Sequence, residues 1–320
     1  MKKAGNIVTD LAIEATTLTA DENGNIDGAE ITSWQKNGID INKVVIKTEE
    51  AGEKIGKPVG TYITLDAGIL RKNDEKSYED TVSLLTEQLE SILKLDKKTS
   101  VLVVGLGNRN VTPDALGPKV VDCLMVTRHL IENLPEVLNG GVRAVSAVAP
   151  GVLGLTGIET WEIIKGITDK VTPDLIIAID ALASRKIDRI STTIQIADTG
   201  IVPGSGIGNK RMGITEQTLG IPVIAIGVPT VVDAATVAND TIELLNEAIN
   251  KYADKDSPLR ERADVLNFSN RYALIKEVLY PFVGELIVTP KEVDSIIDDI
   301  SEIIARSINN ALLSKEVFNF

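Results

Sequence analysis

The sequence predicts an α/β protein with a mostly parallel, twisted sheet and helices on both faces. Three observations carry that expectation. Val101–Val104 is a short apolar, mainly β-branched run, followed by Gly105, Gly107 and Asn108 and then by a helical pattern from about Gly117. Leu175–Ile179 is continuously apolar, as a parallel strand covered on both faces requires. GIPVIAIGVP (220–229) has the same character and precedes a strong helical pattern over Val232–Tyr252. Strands alternating with helices favour a sheet wrapped on both sides.

Taken in order, residues 1–40 are polar, with turn formers crowded into DENGNIDG (21–28), and an exposed arm with little structure of its own is expected. Inside it, TDLAIEA (9–15) sets small and apolar residues among acids. It reads either as a segment open to proteolysis or as a short docking segment or first helical turn. Val44–Thr48 and Thr61–Asp66 read as strands, joined by EEAGEKIGKPVG. A helix is predicted over 78–95, where Leu84, Leu85, Leu89, Ile92 and Leu93 form a stripe. One helix is expected over 117–134, a strand over 142–151 and a helix over 157–167.

Asp180 is expected at the end of the strand begun by Leu175. Ser191–Gly200 alternates and reads as a strand, antiparallel at an edge. The loop IVPGSGIGNKR (201–211) is glycine-rich and carries Lys210 and Arg211, as either a lid over a site or a plain surface loop. Asp233 falls near the start of the next helix. Residues 253–272 are charged and read as an insertion or linker. Thr289 and Pro290 start a last helix with Ile296, Ile297, Ile300, Ile303, Ile304 and Ile308 on its apolar side.

Composition narrows the function. The chain has 320 residues, 43% hydrophobic and 25% charged, with a net charge of −13. So acidic a surface repels phosphate backbones, and direct nucleic-acid binding is not expected. No run of about 18 apolar residues is available to span a membrane. The single cysteine, Cys123, leaves no intrachain disulfide and fits a reducing cytoplasm. The single histidine, His129, lies in a helical segment and reads as structural or solvent-facing. A multi-histidine zinc site and a Ser-His-Asp triad are thereby set aside, which leaves carboxylates or lysine for acid–base work.

Asp114 follows the glycine turn and Asp180 ends an apolar run, so both are expected at the carboxyl edge of the sheet, where open α/β sheets bind ligands. Asp114 also reads as a helix N-cap. A dinucleotide fingerprint from Gly105 requires a third glycine where Asn110 stands. On neighbouring strands, the two acids could share a proton, one acting as base while the other donates, or hold a divalent metal. The pattern leaves these readings open.

GLGNRNVTPDALGP (105–118), GVLGLTGIET (151–160), PDLIIAIDALASR (173–185), DTGIVPGSGIGNKR (198–211) and LGIPVIAIGVPTVVDA (219–234) together resemble the germination protease (spore protease) family of endospore-forming bacteria. The resemblance runs from TDLAIEA to VTPKEVD and is weakest over 20–40 and 253–272, where this chain is shorter. That family is similar in its core to the endopeptidases that mature nickel–iron hydrogenases, which have the same G-x-G-N turn before an acid. Those use two acids and a histidine around a metal; no histidine here matches the third position, so no metal and no cofactor are expected.

The resemblance implies an aspartic-type endopeptidase that degrades small acid-soluble spore proteins during germination, with Asp114 and Asp180 as catalytic acids. It implies a cytoplasmic location, in the forespore and spore core, and assembly as a homotetramer. It further implies a zymogen that removes its own arm, residues 1–12, leaving a catalytic domain over 13–320 with a charged insertion around 253–272. TDLAIE matches the family's substrate pattern, which places the cut between Ala12 and Ile13. Asn108 and loop residues Gly204, Ser205 and Gly206 are candidate substrate contacts. The alternatives are a metal-dependent protease of the hydrogenase-maturation kind and a non-catalytic small-molecule sensor using the same crevice.

Overall fold

The computed structural model describes residues 9–21, 24–68, 70, 74–93, 95–96, 98–133, 142–202, 212–252, 271–284 and 286–313. From the amino end come α1 (Ala12–Thr19), β1 (Ala29–Lys36), β2 (Ile39–Ile46), α2 (Glu49–Ile55), β3 (Gly60–Asp66) and α3 (Glu75–Ile92). The middle of the chain forms β4 (Val101–Gly105), a 3-10 turn (Thr112–Asp114), α4 (Leu116–Asp122), α5 (Arg128–Asn133) and β5 (Val145–Val148). Next are α6 (Leu153–Thr156), α7 (Thr160–Val171), β6 (Leu175–Ser184), a second 3-10 turn (Ile187–Arg189) and β7 (Thr193–Ala197). The chain closes with α8 (Glu216–Leu219), β8 (Val223–Asp233), α9 (Ala234–Tyr252), α10 (Arg271–Val283), β9 (Ile287–Val288) and α11 (Val293–Leu312).

All the strands join one sheet in the order β1-β2-β3-β7-β8-β6-β4-β5, with β9 added to the far end of β8. Helices cover both faces, as expected. The mostly parallel expectation is corrected in part: β8, β6, β4 and β5 run parallel, whereas β1, β2, β3 and β7 pair antiparallel. β7 is antiparallel but interior, between β3 and β8, because the first three strands extend the sheet beyond it.

Opposite parities of each strand feed opposite cores. Ile177 and Ile179 of β6 join Leu85 and Leu89 of α3, Leu116 and Val120 of α4, and Ile297, Ile300 and Ile304 of α11. Ile176 and Ala178 face the other way, with Ile164 of α7 and Leu219 of α8. On that second face, Ala12 and Ala15 of α1 and Ala51 and Ile55 of α2 pack on Val44, Tyr62 and Ala197.

Several boundaries differ from expectation for local reasons. The helix expected over 117–134 breaks between α4 and α5, where Thr127 donates its N–H to Val145 O (2.9 Å) and its hydroxyl accepts the Val145 N–H (2.9 Å), tying the chain to β5. Asp180 is not at a strand end: β6 continues to Ser184 because β8 pairs with it throughout, across an irregularity at Leu182/Ala183. Most of the 253–272 segment lies outside the described residues, but Arg271 already belongs to α10 and bonds Asn239 and Glu243 of α9. Among the described residues no helix is long and apolar enough to cross a membrane.

Candidate active site

The turn after β4 folds back on Asp114. Gly107 has φ +111°, and a Cβ there would sit 2.0 Å from the Asp114 carbonyl oxygen, so only glycine fits. Asn108 donates its N–H to Asp114 Oδ2 (2.8 Å), and Asn108 Oδ1 accepts the Asn110 N–H (3.0 Å). Asp114 is not the N-cap of α4; that place is taken by Ala115. The half-buried carboxylate instead closes the glycine turn.

Asp180 is 6% exposed and accepts the Ala181 N–H at Oδ1 (2.9 Å). β4 and β6 are direct parallel neighbours, and Leu106 donates its N–H to Ile179 O (2.8 Å). The chain that leads to Asp114 is thus pinned one residue before Asp180. The 3-10 turn carrying Asp114 lies against β6 and β8. Across the sheet, Asp180 pairs with Gly227 of β8, and Gly227 with Gln195 of β7. Laterally paired residues share a face, so Asp180 and Gln195 flank a position with no side chain.

The amino-terminal segment lies on that face, which fits its reading as a docking segment or first helical turn and corrects the exposed arm expected for residues 1–40. Leu11 and Ala12 are wholly buried, and residues 29–36 of the supposed loose region form β1. Asp10 donates its N–H to Ala183 O (3.1 Å) while its Oδ2 accepts the Ala183 N–H (2.9 Å). Gln195 bridges the segment, donating to Asp10 O (3.2 Å) and accepting the Ala12 N–H (2.7 Å). Glu14, 3% exposed, accepts from the N–H groups of Arg185 (2.8 Å) and Lys186 (3.2 Å), from Ser184 Oγ (3.1 Å) and from the Thr9 hydroxyl. The chain is extended at Leu11 and helical from Ala12, so the Ala12–Ile13 bond sits where strand-like backbone becomes α1.

Lys57 donates from Nζ to Asp10 O (3.0 Å). Burial of the ammonium lowers its pKa from the usual lysine value, against the raising influence of Asp10 and Glu14. Beside it, a cavity of about 250 Å³ is lined by Asp10, Lys57, Tyr62, Gln195, Thr199 and Gly227. It reaches Gly227, one strand from Asp180. Burial pushes the Tyr62 phenol up to about 12, and it donates to Pro58 O (2.9 Å). A larger cavity, about 410 Å³, lies between α3 and α11, lined by Tyr78, Ile190 and Ile300 among others and by neither acid.

Gly204, Ser205 and Gly206, with Lys210 and Arg211, lie outside the described residues. His129 is exposed on α5, and Cys123 is exposed and free. Among the described residues no three His, Cys, Asp or Glu side chains gather as metal ligands. Sequence reasoning missed Lys57, Gln195 and Arg189, whose Nη1 stands 3.8 Å from Glu14 Oε1. Gln195 had a signal: a long amide in the apolar strand TIQIA, 7% exposed, where an aliphatic residue is the ordinary choice.

A carboxylate in the turn after β4, another within its parallel neighbour β6, and a peptide segment laid across β6 and β7 are features a peptidase needs. The family model described as "Germination protease" matches residues 7–271 and 262–318. The germination protease of Clostridium tetani is 49% identical over 308 residues, 96% of this chain and 95% of its own. That of Caldanaerobacter subterraneus subsp. tengcongensis is 51% identical over 306 residues, with 96% and 94% covered. The Bacillus velezensis protein is 43% identical over an alignment of 346 positions, 97% of this chain and 94% of its own. That alignment is longer than this chain, so the Bacillus protein has residues this chain lacks. Among solved structures, the NiFe hydrogenase maturation protease HycI of Thermococcus kodakarensis is 16% identical with a TM-score of 0.35, covering 70% of this chain and 99% of its own. The chain belongs to the germination protease family, and it is a peptidase.

Proposed function

We propose that the protein is an aspartic-type endopeptidase, made as a self-processing zymogen, that degrades small acid-soluble spore proteins in the germinating spore. Asp114 and Asp180 form its acid–base pair. One carboxylate takes a proton from water as the oxygen attacks the scissile carbonyl carbon. The other protonates the amide nitrogen as the C–N bond breaks. The observation that carries the proposal is the seating of Thr9–Glu14 on the sheet face that bears Asp180, held by β6 and β7. A tethered segment has a high effective concentration at its site, which supports cleavage between Ala12 and Ile13. Residues 1–12 are then the propeptide and 13–320 the catalytic domain. The bond lies in the first turn of α1, and proteases take extended substrates, so that turn unwinds before the cut.

The test is self-processing followed by intact mass. Under activating conditions the wild type is expected to lose residues 1–12 and begin at Ile13. Asp114→Asn and Asp180→Asn should stay full length, with turnover of a spore-protein substrate lowered by about 100-fold or more and melting temperatures near that of wild type. The amide oxygen of each Asn still accepts the Asn108 or Ala181 N–H, so the fold is preserved. A chain beginning elsewhere, or either variant processing normally, overturns the assignment. Activity unchanged by a chelator is expected; its loss favours the metal-dependent alternative.

A further inference from the structure

The cavity of about 410 Å³ between α3 and α11 is in the size range that holds small molecules. Its floor is apolar, built from the buried side chains of Ile190, Ile300 and Ile303. Ile300 and Ile303 belong to the larger core, on the face of the sheet away from α1. The rim is acidic: Asp74, Glu75 and Asp299 line it and are exposed, and among the described residues no Lys, Arg or His does. The cations close by are committed elsewhere. Arg306, its guanidinium 5.2 Å from the centre of the Tyr78 ring, pairs with Glu79 (2.8 Å), and Lys119 pairs with Asp298. Arg189, between Ile187 and Ile190, pairs with Asp66 (3.4 Å). Asp299 has only like charge beside it: partial burial, and then the carboxylates of Asp298 and Glu302, raise its pKa above the usual aspartate value. Ser191 also lines the cavity; it is 5% exposed, and its buried Oγ has no hydrogen-bond partner. A buried hydroxyl left unpaired costs free energy that a ligand's polar atom would recover.

We propose that this cavity is a second binding site of the protein, taking a small molecule with an apolar body and an ammonium end. The body lies on the isoleucine floor, the ammonium stands among the rim carboxylates, and the Ser191 hydroxyl is open to a polar atom on the body. A neutral molecule of the same shape gains the burial without the charge pairing, and an anion is repelled by the rim. The site is separate from the catalytic face, since neither Asp114 nor Asp180 lines it. Residues 187 and 190–192 of its wall belong to the connection from β6, which carries Asp180, to β7, which carries Gln195. An occupant therefore touches the link between the two strands that hold the arm, without competing for the place of the arm itself.

The test uses the full chain at neutral pH and three probes that share one body. Tyramine carries an ammonium, tyrosol a hydroxyl in its place, and hydroxyphenylpropionate a carboxylate. Titration calorimetry is expected to show tyramine binding about fivefold or more tighter than tyrosol, with hydroxyphenylpropionate weaker still. Glu75→Gln combined with Asp299→Asn changes two exposed side chains; it should bring tyramine close to the affinity of tyrosol and leave tyrosol unaltered. Ile296, half-buried, lines the cavity, and Ile296→Phe places a ring in it and should abolish binding of both. Absence of saturable tyramine binding up to about 10 mM, equal affinity for tyramine and tyrosol, or a preference undiminished in the double variant overturns the site. So does tyramine binding that persists in Ile296→Phe, which would mark general attraction of amines to a chain of net charge −13. If Ile296→Phe does not fold, the double variant decides alone.

Discussion

Lys57 is a buried cation that donates to the Asp10 carbonyl. Its folded pKa is lowered by burial, so between that value and about 10.4 the unfolded chain binds more protons than the folded one. Stability therefore rises with pH through this window. Lys57→Met lacks the contribution, so the wild-type melting temperature should gain on the variant's as pH rises toward the ordinary lysine pKa. A constant difference would mean that Lys57 keeps its ordinary pKa. At this scale the two acids were singled out because each follows an apolar run, although Asp180 lies inside β6 rather than at its end. Lys57, Gln195 and Arg189 were not, since each acts through contact with a segment distant in sequence: Asp10, Ala12 and Glu14. The expected N-cap role of Asp114 gave way to the turn it closes, because an Asp before a helix looks the same whether its oxygen takes an N–H from ahead or from behind.

At the scale of elements, α4 is pressed onto β4 by two glycines. A Cβ on Gly105 would fall 2.1 Å from Gly117 O, and one on Gly117 would fall 2.3 Å from Leu106 O. Both obstacles are backbone, so no side chain can swing aside. Gly117→Ala should lower stability by about 3 kcal/mol or more, read as a shifted urea midpoint, or prevent folding. A midpoint unchanged from wild type would show that the helix can lift without cost. The amphipathic elements α3 and α11 were legible, since their stripes survive in the core. The β1–β2 hairpin was overlooked although its signal was present. Asn37 and Gly38, at φ 54° and 78°, form the two-residue turn that Asn-Gly favours between strands. The strand itself is polar and almost wholly exposed, so alternation of hydrophobicity could not reveal it. α2 was hidden in a stretch read as a linker, though Thr48 caps its start and Gly56 its end.

For the whole molecule, helices on both faces followed from strand–helix alternation, whereas the antiparallel half did not. Strand direction depends on which neighbours pair, and pairing is set by tertiary packing that local pattern does not encode. The excursion of α9 and α10, which pack on each other, leaves Leu245, Tyr252, Val278, Tyr280 and Phe282 at least half exposed. So much apolar surface is costly in water and is what an assembly such as the homotetramer implied by the family resemblance would cover. Light scattering should give four chains per particle, and Val278→Glu with Phe282→Glu should give smaller particles with unchanged circular dichroism. A monomeric wild type would overturn the assembly. α11 has a consequence for synthesis. Ile297, Ile300, Ile303, Ile304 and Ile308 all pack into the larger core, against α3 and α4. On the ribosome this core therefore lacks one of its walls until α11, which follows every described strand, has been made. Until that helix docks, the nascent chain carries a partly open, sticky core.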